Sequence, residues 1–337
     1  MENTETGENI EEKGGNGPRV SVLMFVQKTE NLSDCLKSLR NQILDDMEVF
    51  CIVNEADEVS LNMIRDYSKN DARMKLVRCK ANNYGKVLNQ GIKFAKGEYI
   101  GFIDSNNFID PEMYIELFAL AKKHNADVVR SNYYDFKDGQ NIPHETILAE
   151  ETGYVINPIE DTRIFYEPPI VGSGLYRKDF LIEQKIDFLE TNDEPSCSDV
   201  SFNFKTLATE GKVVLTDKPY LHCRIETNDV PKNIFAINDE YAEIESFLKK
   251  RNTWKTYCYI FQAVKFASYH WNMLRLPKKQ VEKFLLRMRA EFHDAEVQKT
   301  LDKRYFPKNH WKALKAILKY PPQVFLTVFK SYSRKKK

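Results

Sequence analysis

The sequence is short of several things at once, and each shortage narrows what the chain can be. Its six cysteines (Cys35, Cys51, Cys79, Cys197, Cys223 and Cys258) include no Cys-x-x-Cys pair. That argues against a zinc site and against a disulfide framework. A reducing, cytoplasmic setting is the expectation. Glycine and proline number only 13 each in 337 residues, which excludes collagen-like and low-complexity chains. No apolar run approaches the roughly 20 residues that a membrane-spanning helix needs. The longest candidate, Val324 to Phe329, is far too short. The first twelve residues carry five Glu and no apolar segment, unlike a secretory signal. Net charge is missing too, since 50 Lys+Arg against 49 Asp+Glu leave +1.

That last absence is an artefact of averaging. Residues 241–337 hold 23 Lys/Arg and 7 Asp/Glu, a net of +16, while residues 1–240 hold 27 and 42, a net of −15. Two parts of opposite sign are joined in one chain. Hydrophobic residues at 42% and aromatics at 12% suffice for a real core, so wholesale disorder is excluded.

Residues 1–17 are polar and aperiodic and read as a disordered leader. From Arg19 on, apolar runs alternate with helical spacing. Val20–Val26, Met47–Val53, Met74–Cys79 and Tyr99–Ile103 read as strands. Leu32–Leu39, Val59–Asn70 and Gly85–Ala95 read as helices. This alternation implies βαβ units and a mainly parallel sheet flanked by helices, an α/β fold. Asp110-Pro111-Glu112 reads as a helix start with Asp110 as the N-cap. Asp127–Arg130 reads as a short strand, and 138–170 as a long excursion. Leu175–Gln184 and Asp199–Gly211 read as helices, and Lys212–Leu215 as a strand. Residues 241–250, 255–274, 278–299 and 309–319 are all helix-like. Val281, Phe284, Leu285, Met288, Phe292 and Ala295 form one apolar stripe among them.

In an open parallel sheet, ligands bind outside the carboxyl ends of the strands. Two such ends carry chemistry. Asn83-Tyr84-Gly85-Lys86 opens a helix, where glycine permits close backbone approach and the helix N-terminus and Lys86 favour an anion such as a diphosphate. A plain turn before a helix would look the same. Asp104-Ser105-Asn106-Asn107 follows a strand. Its carboxylate suits a hard divalent cation that also holds phosphate oxygens, and an Asx-turn is the plain alternative.

Longer stretches narrow these alternatives. Asn83 to Ile92, followed by Ala95-Lys96-Gly97-Glu98-Tyr99-Ile100-Gly101, resembles the family 2 glycosyltransferases of GT-A fold, in a bacterial branch linked to surface-polysaccharide assembly. Four further blocks agree in order: Tyr176–Leu181 with Phe188–Thr191, Asp199–Lys205, Leu221–Arg224, and Asp239–Glu245. The resemblance runs from about Arg19 to about Leu248. It implies a GT-A domain over 18–248 and a basic helical region over 249–337. It also implies sugar transfer from a nucleoside-diphosphate sugar to an acceptor hydroxyl, usually with inversion.

Residue by residue, the resemblance places Asp199 at the catalytic base. Val26, Asn54, Asn83, Gly85, Lys86, Asn89, Asp104 and Ser105 fall to the nucleotide-sugar site. Asp104, Asn106 and His222 fall to a Mg²⁺ or Mn²⁺ site. The family pattern is not complete. Asn106 and Asn107 replace two acids of the metal motif, keeping a carbonyl oxygen but losing charge. Val53-Asn54 stands where the family has acids that recognise the nucleotide, and the Trp expected near Gly172-Ser173-Gly174 is absent. A catalytically impaired GT-A protein that binds or scaffolds in the same pathway is therefore the rival expectation.

Basic and aromatic residues interleave to the chain end at Lys337. Residues 320–337 read as a segment for an anionic membrane surface, at the inner face of the cell membrane, which suits a glycan or lipid-linked acceptor. The plain alternative is that the basic helices pair with the acidic domain. No nucleic-acid motif appears, so nucleic acid is not expected as a partner.

Overall fold

Two central strands show why the sheet forms. β1 (Val20–Val26) and β2 (Met47–Val53) are buried along their whole length, as unbroken apolar runs covered on both faces must be. Between them α1 (Leu32–Arg40) turns Leu32, Cys35, Leu36 and Leu39 inward. The next helix, α2 (Glu58–Asn70), starts at Asp57, whose carboxylate accepts the Ser60 N–H at 2.9 Å. β3 (Met74–Arg78), α3 (Tyr84–Phe94) and β4 (Tyr99–Asp104) complete the first half. This computed structural model describes residues 17–26, 29–54, 57–80, 83–190, 199–225, 233 and 235–321. The expected leader, Gln27-Lys28, Glu55, Asn82, Thr191 and the basic tail from Pro322 lie outside the described residues.

The second half departs from the sequence reading in several places, among them a last strand that runs on from the expected Lys212–Leu215 to Arg224. After β5 (Phe108–Ile109), α4 (Met113–His124) begins three residues beyond Asp110. Asp110 is not its cap, and its carboxylate instead meets His222 Nε2 at 2.9 Å. β6 (Val128–Lys137) is ten residues long and pairs with β7 (Gln140–Pro143). A two-residue strand, β8 (Val155–Ile156), follows within the expected excursion. Leu175 does not begin a helix. It belongs to β9 (Gly174–Arg177), and the helix α5 spans only Lys178–Glu183. β9 inserts antiparallel between β4 and β6, so its side chains are consumed by the sheet's two faces. Then come α6 (Asp199–Leu207), β10 (Val213–Arg224), α7 (Ala236–Lys250), α8 (Trp254–Arg275), α9 (Lys278–Val297) and α10 (Lys308–Lys319).

The ten strands form one sheet in the order β3-β2-β1-β4-β9-β6-β10-β5, with β7 and β8 off that path. The pairs among β3, β2, β1 and β4 are parallel, and so is β6 with β10. Val26 stands beside Val53, Val53 beside Arg78, and Phe25 beside Asp104, so the carboxyl ends of four strands form one row.

The sheet divides the core in two. Val22, Met24, Val49 and Cys51 join α1, α2 and α4 on one face. On the other, Leu23, Phe25, Phe50 and Ile52 belong to a core that continues through α3, α6, α7, α8 and α9 to Ile317 of α10. The expected stripe on α9 is buried in it from Val281 to Phe292, and Ala295 is buried as well. The helical region is thus seated on the sheet through shared core. Among the described residues no helix is long and apolar enough to cross a membrane.

Candidate active site

Asp199 is the first residue of α6, and aromatic packing fixes that helix. Phe202, one turn on, stacks on Phe188 at 4.0 Å between ring centroids and meets Phe102 and Tyr176 edge-on. The Asp199 carboxylate lies above this nest. It keeps some surface open to the crevice, while protein packs densely around the rest. Burial pushes its pKa up to about 7, and the charge of Asp104 pushes the same way. The Val171 backbone N–H, the Tyr84 hydroxyl and the Arg130 guanidinium pull in the other direction. Tyr84 donates to Asp199 Oδ1 at 3.4 Å. Arg130 is buried, and it donates to Asn203 Oδ1 at 3.0 Å on the next turn of α6.

A second buried carboxyl stands behind the first. Glu240 of α7 is 1% exposed, and its Oε2 accepts the Ser201 N–H at 2.8 Å. Its Oε1 has no partner among the described residues. Burial pushes Glu240 up to about 7 as well. A helix N-terminus has unsatisfied N–H groups, so Glu240 serves α6 as a cap delivered from another helix.

The residues expected from sequence divide into two groups. Asp104 closes β4 and Asn54 follows β2 at the same row of strand ends, with Asp199 near enough for its charge and that of Asp104 to interact, while Lys86 lies apart, beside Arg78 and Lys80. Asn83 caps α3, its side chain accepting the Lys86 N–H at 2.9 Å. The others do structural work. Gly85 has no room for a ligand, because an added Cβ would fall 2.2 Å from the Leu189 carbonyl oxygen. The close approach it permits is by the chain itself. Asn89 is buried and spends its amide on the same segment, donating to Phe188 O at 2.9 Å and accepting Phe188 N–H at 2.8 Å. Val26 and Ser105 are buried, so neither offers side-chain surface to a nucleotide.

The metal expectation was tested on the donor set. Asp104 supplies a carboxylate, although its Oδ1 already accepts the Asn106 N–H at 2.8 Å. Asn106 Oδ1 accepts Asn31 Nδ2 at 2.6 Å, and Asn107 Oδ1 accepts the Arg224 N–H at 3.0 Å. His222 does not fit a ligand role. Its ring is stacked between Phe108 and Tyr134, and its two nitrogens meet Asn141 and Asp110 at 2.8 and 2.9 Å, which leaves no lone pair for a cation. Among the described residues no group of three His, Cys, Asp or Glu could hold a metal ion. These side chains do not by themselves make a divalent-cation site.

The sequence reading missed Tyr84, Arg130 and Glu240 as parts of this site. Tyr84 and Glu240 lie inside matched blocks without an assigned role. Arg130 carried one signal, a cation at the end of an apolar strand, Val128-Val129-Arg130.

A row of parallel strand ends, an acidic residue after β4 and a desolvated carboxylate at a helix start define the class of GT-A glycosyltransferases. The comparisons agree. Residues 21–185 match the family model described as glycosyl transferase family 2. Its relatives include the putative glycosyltransferase EpsH of Bacillus subtilis, 28% identical over 71% of this chain and 72% of that protein. Another is the poly(ribitol-phosphate) beta-N-acetylglucosaminyltransferase TarP of Staphylococcus aureus, 26% identical over 50% of this chain and 52% of TarP. Among solved structures, S. aureus TarS 1–349 in complex with UDP-GlcNAc superimposes with a TM-score of 0.71 over 94% of this chain and 92% of that one. At 18% identity that likeness speaks for the fold. The protein is a glycosyltransferase.

Proposed function

We propose that this glycosyltransferase moves a sugar from a nucleoside-diphosphate sugar to an acceptor hydroxyl of a surface glycan or its lipid-linked precursor, with inversion. The observation that carries the reading is Asp199, a carboxylate pushed up to about 7 at the head of α6. A general base works best with a pKa near the operating pH. Asp199 takes the proton of the acceptor hydroxyl as its oxygen bonds to the anomeric carbon. The bond from that carbon to the diphosphate breaks, and the electron pair leaves with the diphosphate. The N-terminal turn of α3 favours that growing negative charge. Arg130 and Tyr84 hold the base in place.

Relatives support the acceptor class, since TarP by name acts on poly(ribitol-phosphate) and EpsH is named as a glycosyltransferase. TarS was solved with UDP-GlcNAc, which makes uridine nucleotide sugars the first donors to try.

The test is turnover of a panel of uridine nucleotide sugars by the wild type and by Asp199→Asn. The isosteric amide is expected to lower transfer about 10²–10⁴-fold, the usual worth of a positioned base. Undiminished transfer in Asp199→Asn would refute the assignment of the base. Donor binding without turnover by the wild type would favour a binding or scaffold role instead. The proposed anionic membrane contact is checked separately, by removing residues 322–337 and measuring sedimentation with phosphatidylglycerol vesicles. Tyr320 should be kept, because its carbonyl accepts Arg289 Nη1 at 2.9 Å.

A further inference from the structure

A groove of 720 Å³ runs along α3, outside the crevice that holds Asp104 and Asp199. It exists because of where α3 sits. At Gly91 an added Cβ would fall 2.7 Å from Leu23 Cδ1, so α3 lies close over β1. The neighbouring face of β2 and of the edge strand β3 is left uncovered. The half-buried Val77 and the 41% exposed Phe94 make an apolar floor, backed by the buried Ile52 and Val87. Arg78 and Lys80 rise on one side. Lys86, Gln90 and Lys93 follow one another on the other, at the i, i+4, i+7 spacing of one helix face.

The charge of this groove is opposite to that of its surroundings. Residues 1–240 carry a net of −15, yet the groove lining holds four cations and no carboxylate. Among the described residues none of the four makes an ion pair, whereas Lys75 next to them is neutralised by Glu48 at 2.7 Å. An acidic surface repels polyanions everywhere else, so an isolated basic track also fixes where such a ligand lies. Lys86 and Lys93 are separated by about 10 Å along the helix. One compact diphosphate does not span that length, but a chain with repeating charges does. The volume is in the range of small-ligand sites, roughly 300–1,000 Å³.

We infer that this groove binds a phosphodiester-bearing acceptor chain, with its phosphates on Arg78, Lys80, Lys86 and Lys93 and its carbon units on the apolar floor. The groove starts at Lys86, two residues from Tyr84, which hydrogen-bonds the base. A chain lying in it would deliver its end to Asp199. The term acceptor rests on the transferase reading above, while the binding itself does not.

The test uses the full chain and a short glycerol-phosphate oligomer as the probe, with an uncharged malto-oligosaccharide as control and binding followed by calorimetry. The oligomer is expected to bind and the control not to. Arg78→Glu with Lys93→Glu should weaken oligomer binding at least tenfold. Arg78→Gln with Lys93→Gln should lower the slope of log K against log salt by roughly 1–2, through lost counter-ion release. Both side chains are exposed, and the Gln pair keeps the test open should the reversal not fold. Oligomer binding untouched by either pair would overturn the inference. So would loss of UDP affinity by the same factor, because the groove would then belong to the donor. Loss on Lys312→Glu with Lys315→Glu in α10, with the groove pairs unaffected, would move the polyanion site to the helical region and also overturn it. If the wild type turns over no sugar nucleotide but oligomer binding still depends on Arg78 and Lys93, the transferase reading falls and the groove stands.

Discussion

The sheet region and the helical region carry opposite charge, yet charge is not what joins them. Among the described residues, Lys265–Glu291 at 2.7 Å and Lys315–Glu296 at 2.6 Å lie within the helical region, and Lys249–Glu245 at 2.6 Å crosses its boundary only within α7. The junction is apolar and aromatic instead. Phe165 meets Tyr257 at 6.0 Å and Phe204 meets Phe261 at 5.9 Å, within one continuous core. Polar ties between them include a hydrogen bond from the Tyr166 hydroxyl to Tyr305 O at 2.7 Å and one from Arg251 Nη2 to Gln184 Oε1 at 2.6 Å. A fully buried contact loses little to salt, whereas surface ion pairs contribute about 0–1 kcal/mol each. The basic surface is therefore left available for an outside partner, and the acidic one carries a basic track along α3.

The sharpest way to break this comparison is Phe261→Ala. Phe261 is fully buried and packs edge-on against Phe204, Tyr241 and Trp254. Its truncation is expected to cost about 3–5 kcal/mol. If the regions fold as one, denaturant unfolding should keep a single transition at a lower midpoint. An unshifted transition for the sheet region, read from a probe placed there, would mean that the two are independent.

Next in size comes Glu240, which reaches from the helical side to the base helix. Its folded pKa is raised from 4.5 to about 7, so the folded chain binds this proton more tightly than the unfolded chain does. Its contribution is present below pH 4.5 and is lost as pH rises through about 7. The loss is on the order of 3 kcal/mol. Glu240→Gln keeps an acceptor for the Ser201 N–H and should flatten stability between those pH values. A slope as steep in Glu240→Gln as in the wild type would assign it to other groups.

Catalysis gives the third test. Asp199 must be ionised to act, so kcat/KM should fall tenfold per pH unit below about 7 and level off above it. An acid limb near 4 would show that the carboxylate is solvated in the working enzyme. The smallest expected effect belongs to Asn106→Asp. Restoring a carboxylate beside Asp104 should raise the dependence of transfer on Mn²⁺ by a few-fold, roughly 1 kcal/mol of cation affinity. Equal response to Mn²⁺ and to chelator in both proteins would mean that one added carboxylate at position 106 does not create a cation site beside Asp104.

Much of this was legible in the sequence, for reasons that can be named. The strands and helices from Val20 to Asp104 were readable because doubly covered strands need unbroken apolar runs and their helices need a 3.6-residue stripe. The four C-terminal helices were readable for the second reason. β9 was not, because Leu175-Tyr176-Arg177 suits a short strand and a helical turn equally well. Its distant neighbours β4 and β6 make the choice. The base was legible as a matched position, but its environment was not. The nest of Phe102, Tyr176, Phe188 and Phe202, the turn at Val171 and the carboxyl of Glu240 come from widely separated parts of the chain.

The sequence by itself determined the fold class, the order of the elements up to Asp104, the split of charge and the position of Asp199 as the candidate base. Those properties reside in periodicity, composition and short contiguous blocks. Only the tertiary structure decided that Gly85 and Asn89 hold the 188–190 segment, that His222 is committed to Asn141 and Asp110, and that four scattered cations share one groove. Each depends on which distant backbone arrives beside a residue, and no local pattern records that.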